Sequence, residues 1–239
     1  MMSVMTEFKT TGSTSRSRIT CVIPTFNAAG VLPGTLQQLA GFTLMVADGG
    51  SSDETCGLAI KAGARVVVSL KGRGQQLKAG AEVALVEGAQ WLLFLHADTK
   101  LDAAGLAEVT AFTRDPDNRN RAAVFRFAVD DNSPAARRLE GLVNWRSRVL
   151  ALPYGDQGLL ISGSLYQSLG GYRTLELMED VDLVRRIGRR RLVLLNSVAT
   201  TSATRFQQHG YLRRSARNLT CLALFILGVP VRWIARLYG

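Results

Sequence analysis

Several short polar strings in this sequence hold residues able to do chemistry, and most of them directly follow an apolar run. His96-Ala97-Asp98-Thr99 comes after Trp91-Leu92-Leu93-Phe94-Leu95. A carboxylate at the end of an apolar strand suits a hard divalent cation whose remaining ligands are phosphate oxygens, and Asp98 stands there. Capping of the next turn is the other use of that residue. His96 points the same way as Asp98 if strand geometry persists, because side chains alternate with period two. Asp48-Gly49-Gly50-Ser51-Ser52-Asp53 follows Thr43–Ala47. Gly49 and its neighbour let backbone amides approach a ligand, and Asp48 can hydrogen-bond a base or a sugar hydroxyl. The same string also reads as a plain turn with a helix cap.

Lys71-Gly72-Arg73-Gly74 joins glycines to cations at a helix start, which suits a diphosphate. It matches neither a Walker loop nor a dinucleotide fingerprint. Glu179, Asp180 and Asp182 sit where a helix begins, and acidic residues there complement its dipole. Asp180 also qualifies as a general base that takes a proton from an attacking hydroxyl. Tyr154-Gly155-Asp156-Gln157 is a polar turn ahead of an apolar run. Arg205 and His209, beyond the last strand, either complete a phosphate or metal site or lie in a solvated loop.

The elements that must position these residues alternate. Strands are expected over 19–24, 43–48, 64–69 and 91–95, each a nearly continuous apolar run. Helices are expected over 31–41, 54–63, 75–88 and from Ala103, with Ser52 or Asp53 and then Asp102 as caps. Such alternation with short connections gives a mostly parallel, doubly wound α/β sheet with helices on both faces. Ligands then bind at the carboxyl ends of the strands, where the polar strings collect. Further on, 124–131 alternates like a strand with one wet face, and 133–151 has helical period with Ser133 as cap. The strings 158–163, 191–196 and 199–206 read as strands, with short helices after Gly163 and Met178.

The chain has 239 residues, of which 47% are hydrophobic and 20% charged, as in an ordinary globular protein. One domain over 19–239 is the economical reading, after a Ser-, Thr- and Arg-rich tail over 1–18 that is expected to be disordered. The net charge of +10 points to an anionic partner: nucleic acid, a phosphorylated small molecule or a membrane surface. The three cysteines, Cys21, Cys56 and Cys221, are widely spaced and read as buried thiols in a reducing compartment, so a cytoplasmic location is expected. No apolar stretch reaches the roughly 18 residues of a membrane span. The segment from about 211 to 239 is apolar and basic; a core helix and a helix lying in the membrane interface both fit it.

Taken together, Pro24-Thr25-Phe26-Asn27, the string from Val46 to Thr55, Leu95 to Thr99 and Met178 to Ile187 resemble glycosyltransferase family 2, with the GT-A fold. The strings 72–81, 153–172 and 200–206, with the C-terminal helical segment, resemble a bacterial subgroup known as radical-SAM/selenodomain-associated transferase 2. The resemblance runs from about Ile19 to Tyr238. It implies an inverting transferase that uses a nucleotide-diphosphate sugar of UDP or GDP type with Mn2+ or Mg2+. By position, Pro24, Thr25 and Asp48 with Gly49 would contact the donor nucleoside, and Arg73 would lie near the diphosphate. Asp98 would be the metal ligand, with His96 beside it on the donor side. Asp180 would be the catalytic base, and Tyr154, Asp156, Gln157 and Glu179 would line the acceptor side. His96 stands where many relatives carry a first carboxylate, and Ala28-Ala29 stands where many carry Glu.

The resemblance and the basic, apolar C-terminus imply an acceptor hydroxyl or carboxyl on either a small metabolite or a lipid or carotenoid, the latter expected to be reached by peripheral contact with an anionic membrane. A nucleotidyltransferase would place a glycine-rich signature with Arg and Lys after the first strand, where this chain has Pro24 to Gly30. A nucleic-acid-binding module would show a recognition helix or a stacking motif, and the arginines here are dispersed.

Overall fold

The computed structural model describes residues 18–238, and the side chains of Arg205, Gln208 and His209 lie outside the described set. The tail expected to be disordered lies outside it too, up to residue 17. The first half alternates as the sequence predicts: β1 (Ile19–Thr25), α1 (Leu32–Gln38), β2 (Thr43–Asp48), α2 (Thr55–Lys61), β3 (Arg65–Val68), α3 (Arg73–Val86) and β4 (Trp91–Phe94). Then come β5 (Lys100–Leu101), α4 (Ala103–Arg114), β6 (Ala122–Val129), α5 (Pro134–Leu150), β7 (Leu159–Ser162) and α6 (Gly163–Ser168). The chain closes with α7 (Glu179–Ile187), β8 (Leu192–Thr201), α8 (Thr204–His209), α9 (Tyr211–Ile226) and α10 (Val231–Tyr238).

The strands form one eight-stranded sheet in the order β3-β2-β1-β4-β7-β6-β8-β5. Only β7 and β5 run against the rest, so the sheet is mostly parallel. Both faces are covered. Ile19, Cys21 and Ile23 of β1 pack with Leu32, Leu36, Ala59 and Phe112 of α1, α2 and α4. Val22 faces the other way, onto Leu77 and Ala81 of α3 and Leu183 of α7. Burial on both faces explains why these strands lack alternation. Gly80 lets α3 lie directly on β1 and β2, since a Cβ there would sit 2.7 Å from Val22 Cγ1.

Several elements differ from the sequence expectation. Arg73 and Gly74 form the first turn of α3 rather than a loop. The strings 191–196 and 199–206 are one strand, β8, followed by a helix. The chain turns into α8 because Ser202 accepts the Thr204 amide and Asp130 accepts the Ala203 amide. The wet face of β6 is confined to its second half, at Arg126 and Ala128, because its first half is covered on both faces and pairs with β7 as well as β8. The two-residue edge strand β5 has no signal in the sequence. Asp102 and Ser133 cap α4 and α5 as expected, accepting the amides of Gly105 and Ala136. Cys21 and Cys221 are buried, whereas Cys56 is half-buried on the outer layer.

The C-terminal segment is two helices broken at Gly228, which has φ +81°. One side is core: Cys221, Leu222 and Ile234 pack on Met178 and Val181. The other side exposes Leu219, Ile226, Leu227, Trp233 and Leu237. Among the described residues no helix is long and apolar enough to cross a membrane.

Candidate active site

The carboxyl ends of β1, β2 and β4 lie side by side, and the polar strings meet there. A cleft of about 690 Å³ opens over them, lined by Pro24, Thr25, Arg73, His96, Asp98, Tyr154, Asp156 and Asp180 among others. Asp48 lies behind this wall, 1% exposed. Its Oδ1 accepts the Thr25 and Ser51 hydroxyls, and its Oδ2 accepts the Gly50 and Ser51 amides. Burial works against its charge, but these bonds together outweigh it and hold the carboxyl below its ordinary value. Asp48 thus shapes the loop that carries Gly49, which is packed against the Gln76 side chain. Gln76, which the sequence reading did not single out, donates to the carbonyls of Thr25 and Ala47 and ties α3 to the ends of β1 and β2. No local signal in the sequence marks it.

Arg73 is the hub. From the first turn of α3 its Nε pairs with Glu179, its Nη2 donates to Asp180 Oδ2 at 2.9 Å, and its Nη1 meets His96 Nε2 at 3.1 Å. A guanidinium only donates, so His96 Nε2 carries its lone pair and any ring proton sits on Nδ1. Asp180 Oδ2 also accepts the Gly155 amide at 2.6 Å, and Oδ1 accepts the Val181 amide. Gly155 fits because it has no side chain: a Cβ there would stand 3.1 Å from Asp180 Oδ2 and 3.2 Å from His96 Nε2. Glu179 is 1% exposed. Burial raises its pKa, Arg73 opposes the rise, and the Asp180 charge adds to it. The two carboxylates in turn hold Arg73 firmly charged.

Asp156 follows on the same turn. Burial pushes its carboxyl up to about 6, with Arg146 working against the rise and Asp180 adding to it. Its Oδ1 is buried and makes no hydrogen bond among the described residues. Burial likewise pushes the Tyr154 hydroxyl up to about 12. Gln157 faces away from the cleft: it bonds Ser147 and the Phe125 carbonyl and so anchors the turn to α5 and β6. Arg146, Arg214 and Asn218 from α5 and α9 also approach this region, and no motif in the sequence marked them.

Asp98 is half-buried at the cleft edge and makes no hydrogen bond or ion pair among the described residues. Among the described residues no group of three or more His, Cys, Asp or Glu is set to hold a metal. A single carboxylate fits a divalent cation shared with a substrate diphosphate, the usual way Mg2+ is held at phosphate sites. It does not fit a cation caged by protein alone.

No protein-family model matches the chain. PGL/p-HBAD biosynthesis glycosyltransferases of Mycobacterium tuberculosis and Mycobacterium bovis are 38% identical to it over 104 residues. That stretch covers 38% of this chain, and the chain spans about 40% of the length of these relatives. Glucosyl-3-phosphoglycerate synthase from M. tuberculosis, solved with Mn2+, UDP and glucosyl-3-phosphoglycerate, superposes with TM-score 0.59 at 18% identity, over 90% of this chain and 81% of that one. S. aureus TarS 1–349 in complex with UDP superposes with TM-score 0.57 at 18% identity, over 80% of this chain and 62% of that one. The chain has the GT-A fold. In that fold the cleft described above lies at the strand ends where ligands are expected to bind.

Proposed function

We propose that this protein is an inverting, metal-dependent glycosyltransferase of family 2, a hexosyltransferase, with residues 19–239 acting as one catalytic unit. The donor is a nucleotide-diphosphate sugar of UDP or GDP type, and the acceptor is a hydroxyl or carboxyl of a small metabolite or lipid. The observation that carries this reading is the cluster of Arg73, His96 and Asp180, backed by buried Glu179, in a cleft that Asp98 also lines on a GT-A fold.

In this reading Thr25 walls the nucleoside end of the cleft, and the Asp48–Gly49 loop supports it from behind. Asp98 would hold Mn2+ or Mg2+, which would supply positive charge beside the departing diphosphate. Arg73 reaches the same diphosphate by turning from Asp180, whose Oδ2 keeps the Gly155 amide and gains room for the acceptor hydroxyl. The acceptor oxygen forms a bond to the anomeric carbon. The bond from that carbon to the phosphate oxygen breaks, its electrons leave with the diphosphate, and the hydroxyl proton passes to Asp180. Arg73 compensates the charge that develops on the leaving group.

The free thiols and the donor class agree with a cytoplasmic location. Exposed Arg213, Arg232, Arg236, Trp233 and Leu237 would make peripheral contact with an anionic membrane face. Calorimetric titration of a panel of nucleotide diphosphates and nucleotide sugars, with and without Mn2+, tests the donor site. Binding of one nucleotide that needs metal and is lost in Asp98→Ala supports the reading. A panel in which nothing binds rejects it.

A further inference from the structure

A second cavity, of about 110 Å³, lies behind the cleft between α5 and α9. Leu139, Val143 and Leu222 form its buried walls, and Leu142, Trp145, Leu150 and Leu219 make an exposed apolar outer rim. Tyr154 and Asp156 line both this cavity and the cleft, so the two spaces meet at their side chains. Arg146 stands at that junction, 6% exposed. Its guanidinium stacks on the Tyr154 ring at 3.6 Å, which fixes its position. Its Nε and Nη2 nevertheless make no hydrogen bond among the described residues, and neither does Asp156 Oδ1. Folded proteins seldom leave such buried groups without a partner. The Nε–Nη2 edge is the one with which arginine grips an oxygen-bearing group.

We infer that this cavity takes the apolar body of the acceptor alcohol, and that Arg146 and Asp156 hold its oxygen-bearing end beside Asp180. The inference rests on the transferase reading and names the acceptor class for the same site. Charge complementarity sets the orientation. Arg146 donates to the acceptor oxygen, Asp156 accepts from a second hydroxyl where the acceptor carries one, and the Gly155 amide keeps Asp180 next to them to take the reacting hydroxyl's proton. A cavity of roughly 150 Å³ holds benzene, so this smaller one suits a short alkyl chain. A longer body would leave along the exposed rim of Leu142, Trp145 and Leu219.

The probe is 6-bromo-1-hexanol, whose bromine quenches tryptophan on contact. Trp145 lines the cavity, Trp91 is in the core, and Trp233 is removed by Trp233→Phe. The expected result is saturable quenching. Ser215→Met, which fills the cavity from α9, weakens it at least tenfold, since each excluded methylene costs about fourfold. Arg146→Met weakens it about tenfold through the lost charged hydrogen bonds. The nucleotide panel is titrated into the same samples. With the nucleotide sugar that binds, mass spectrometry looks for the bromohexyl glycoside. Glycoside formed by the Trp233→Phe protein and cut tenfold by Ser215→Met supports the inference. Unsaturable quenching, quenching unchanged by Ser215→Met, or binding without glycoside overturns the acceptor site while nucleotide binding leaves the transferase reading standing. Probe binding with no nucleotide bound overturns both.

Discussion

Replacing Arg73 by alanine removes the cation that, among the described residues, alone pairs with two buried carboxylates. Glu179 and Asp180 have side chains 2% and 9% exposed, and the Arg73 side chain is 37% exposed. Breaking a buried pair by removing one partner costs about 3–5 kcal/mol. Solvent already screens the half-open arginine, so we take about 2–3 kcal/mol. At about 2–4 °C per kcal/mol for a chain of this size, Tm falls by roughly 4–12 °C. The sign with pH follows from Glu179, whose folded pKa is raised above its ordinary 4.5 by burial and restrained by Arg73. Without Arg73 it climbs further. A carboxyl with a raised folded pKa does no harm below its unfolded value and destabilises progressively as pH rises toward the folded one. The Tm deficit of Arg73→Ala is therefore smallest near pH 5 and grows toward pH 8. Thermal unfolding of wild type, Arg73→Ala and Arg73→Ala/Glu179→Gln across that range is the assay. The double variant should recover most of the loss at pH 8. A deficit that is flat with pH, grows toward pH 5, or is unrelieved by Glu179→Gln refutes the argument.

Asp180→Asn should lower transfer by about 10²–10⁴ with nucleotide binding retained, read by single-turnover rates and calorimetry; parallel loss of both would mean a structural role instead. Gly155→Ala should cut kcat by about 10²-fold, because its methyl displaces Asp180 and His96. Thermal unfolding should stay within a few degrees of wild type, and an unchanged kcat sinks the geometry. Asp48→Asn turns one acceptor oxygen into a donor facing hydroxyls or amides and should cost about 1–3 kcal/mol in urea unfolding at pH 7. Because the Asp48 carboxyl is held below its ordinary 3.8, its contribution is present above that value and is lost as pH falls through the lowered one. The difference from wild type should therefore shrink in acid, and a constant difference would count against the bonding described.

Local pattern by itself determined the first half of the molecule. Short, β-branched apolar runs ending near Thr25, Asp48 and Leu95 read as strands covered on both faces, and their alternation with helices across short connections points to a parallel sheet with its polar ends on one edge. Asp102 and Ser133 were legible as caps because capping is a bond across three residues. The merging of 192–201 into one strand and the edge strand β5 were not legible, since both depend on partners far away in sequence. The site divides the same way. His96, Asp98 and Asp180 were marked by their neighbours, but nothing near Arg73 showed that it would join His96, more than 20 residues away, and Glu179 and Asp180, more than 100 residues away. Arg146, Gln76 and the cavity between α5 and α9 had no local signal at all. Their roles come from burial and from which groups lack partners, and only packing of distant helices against the sheet decides those.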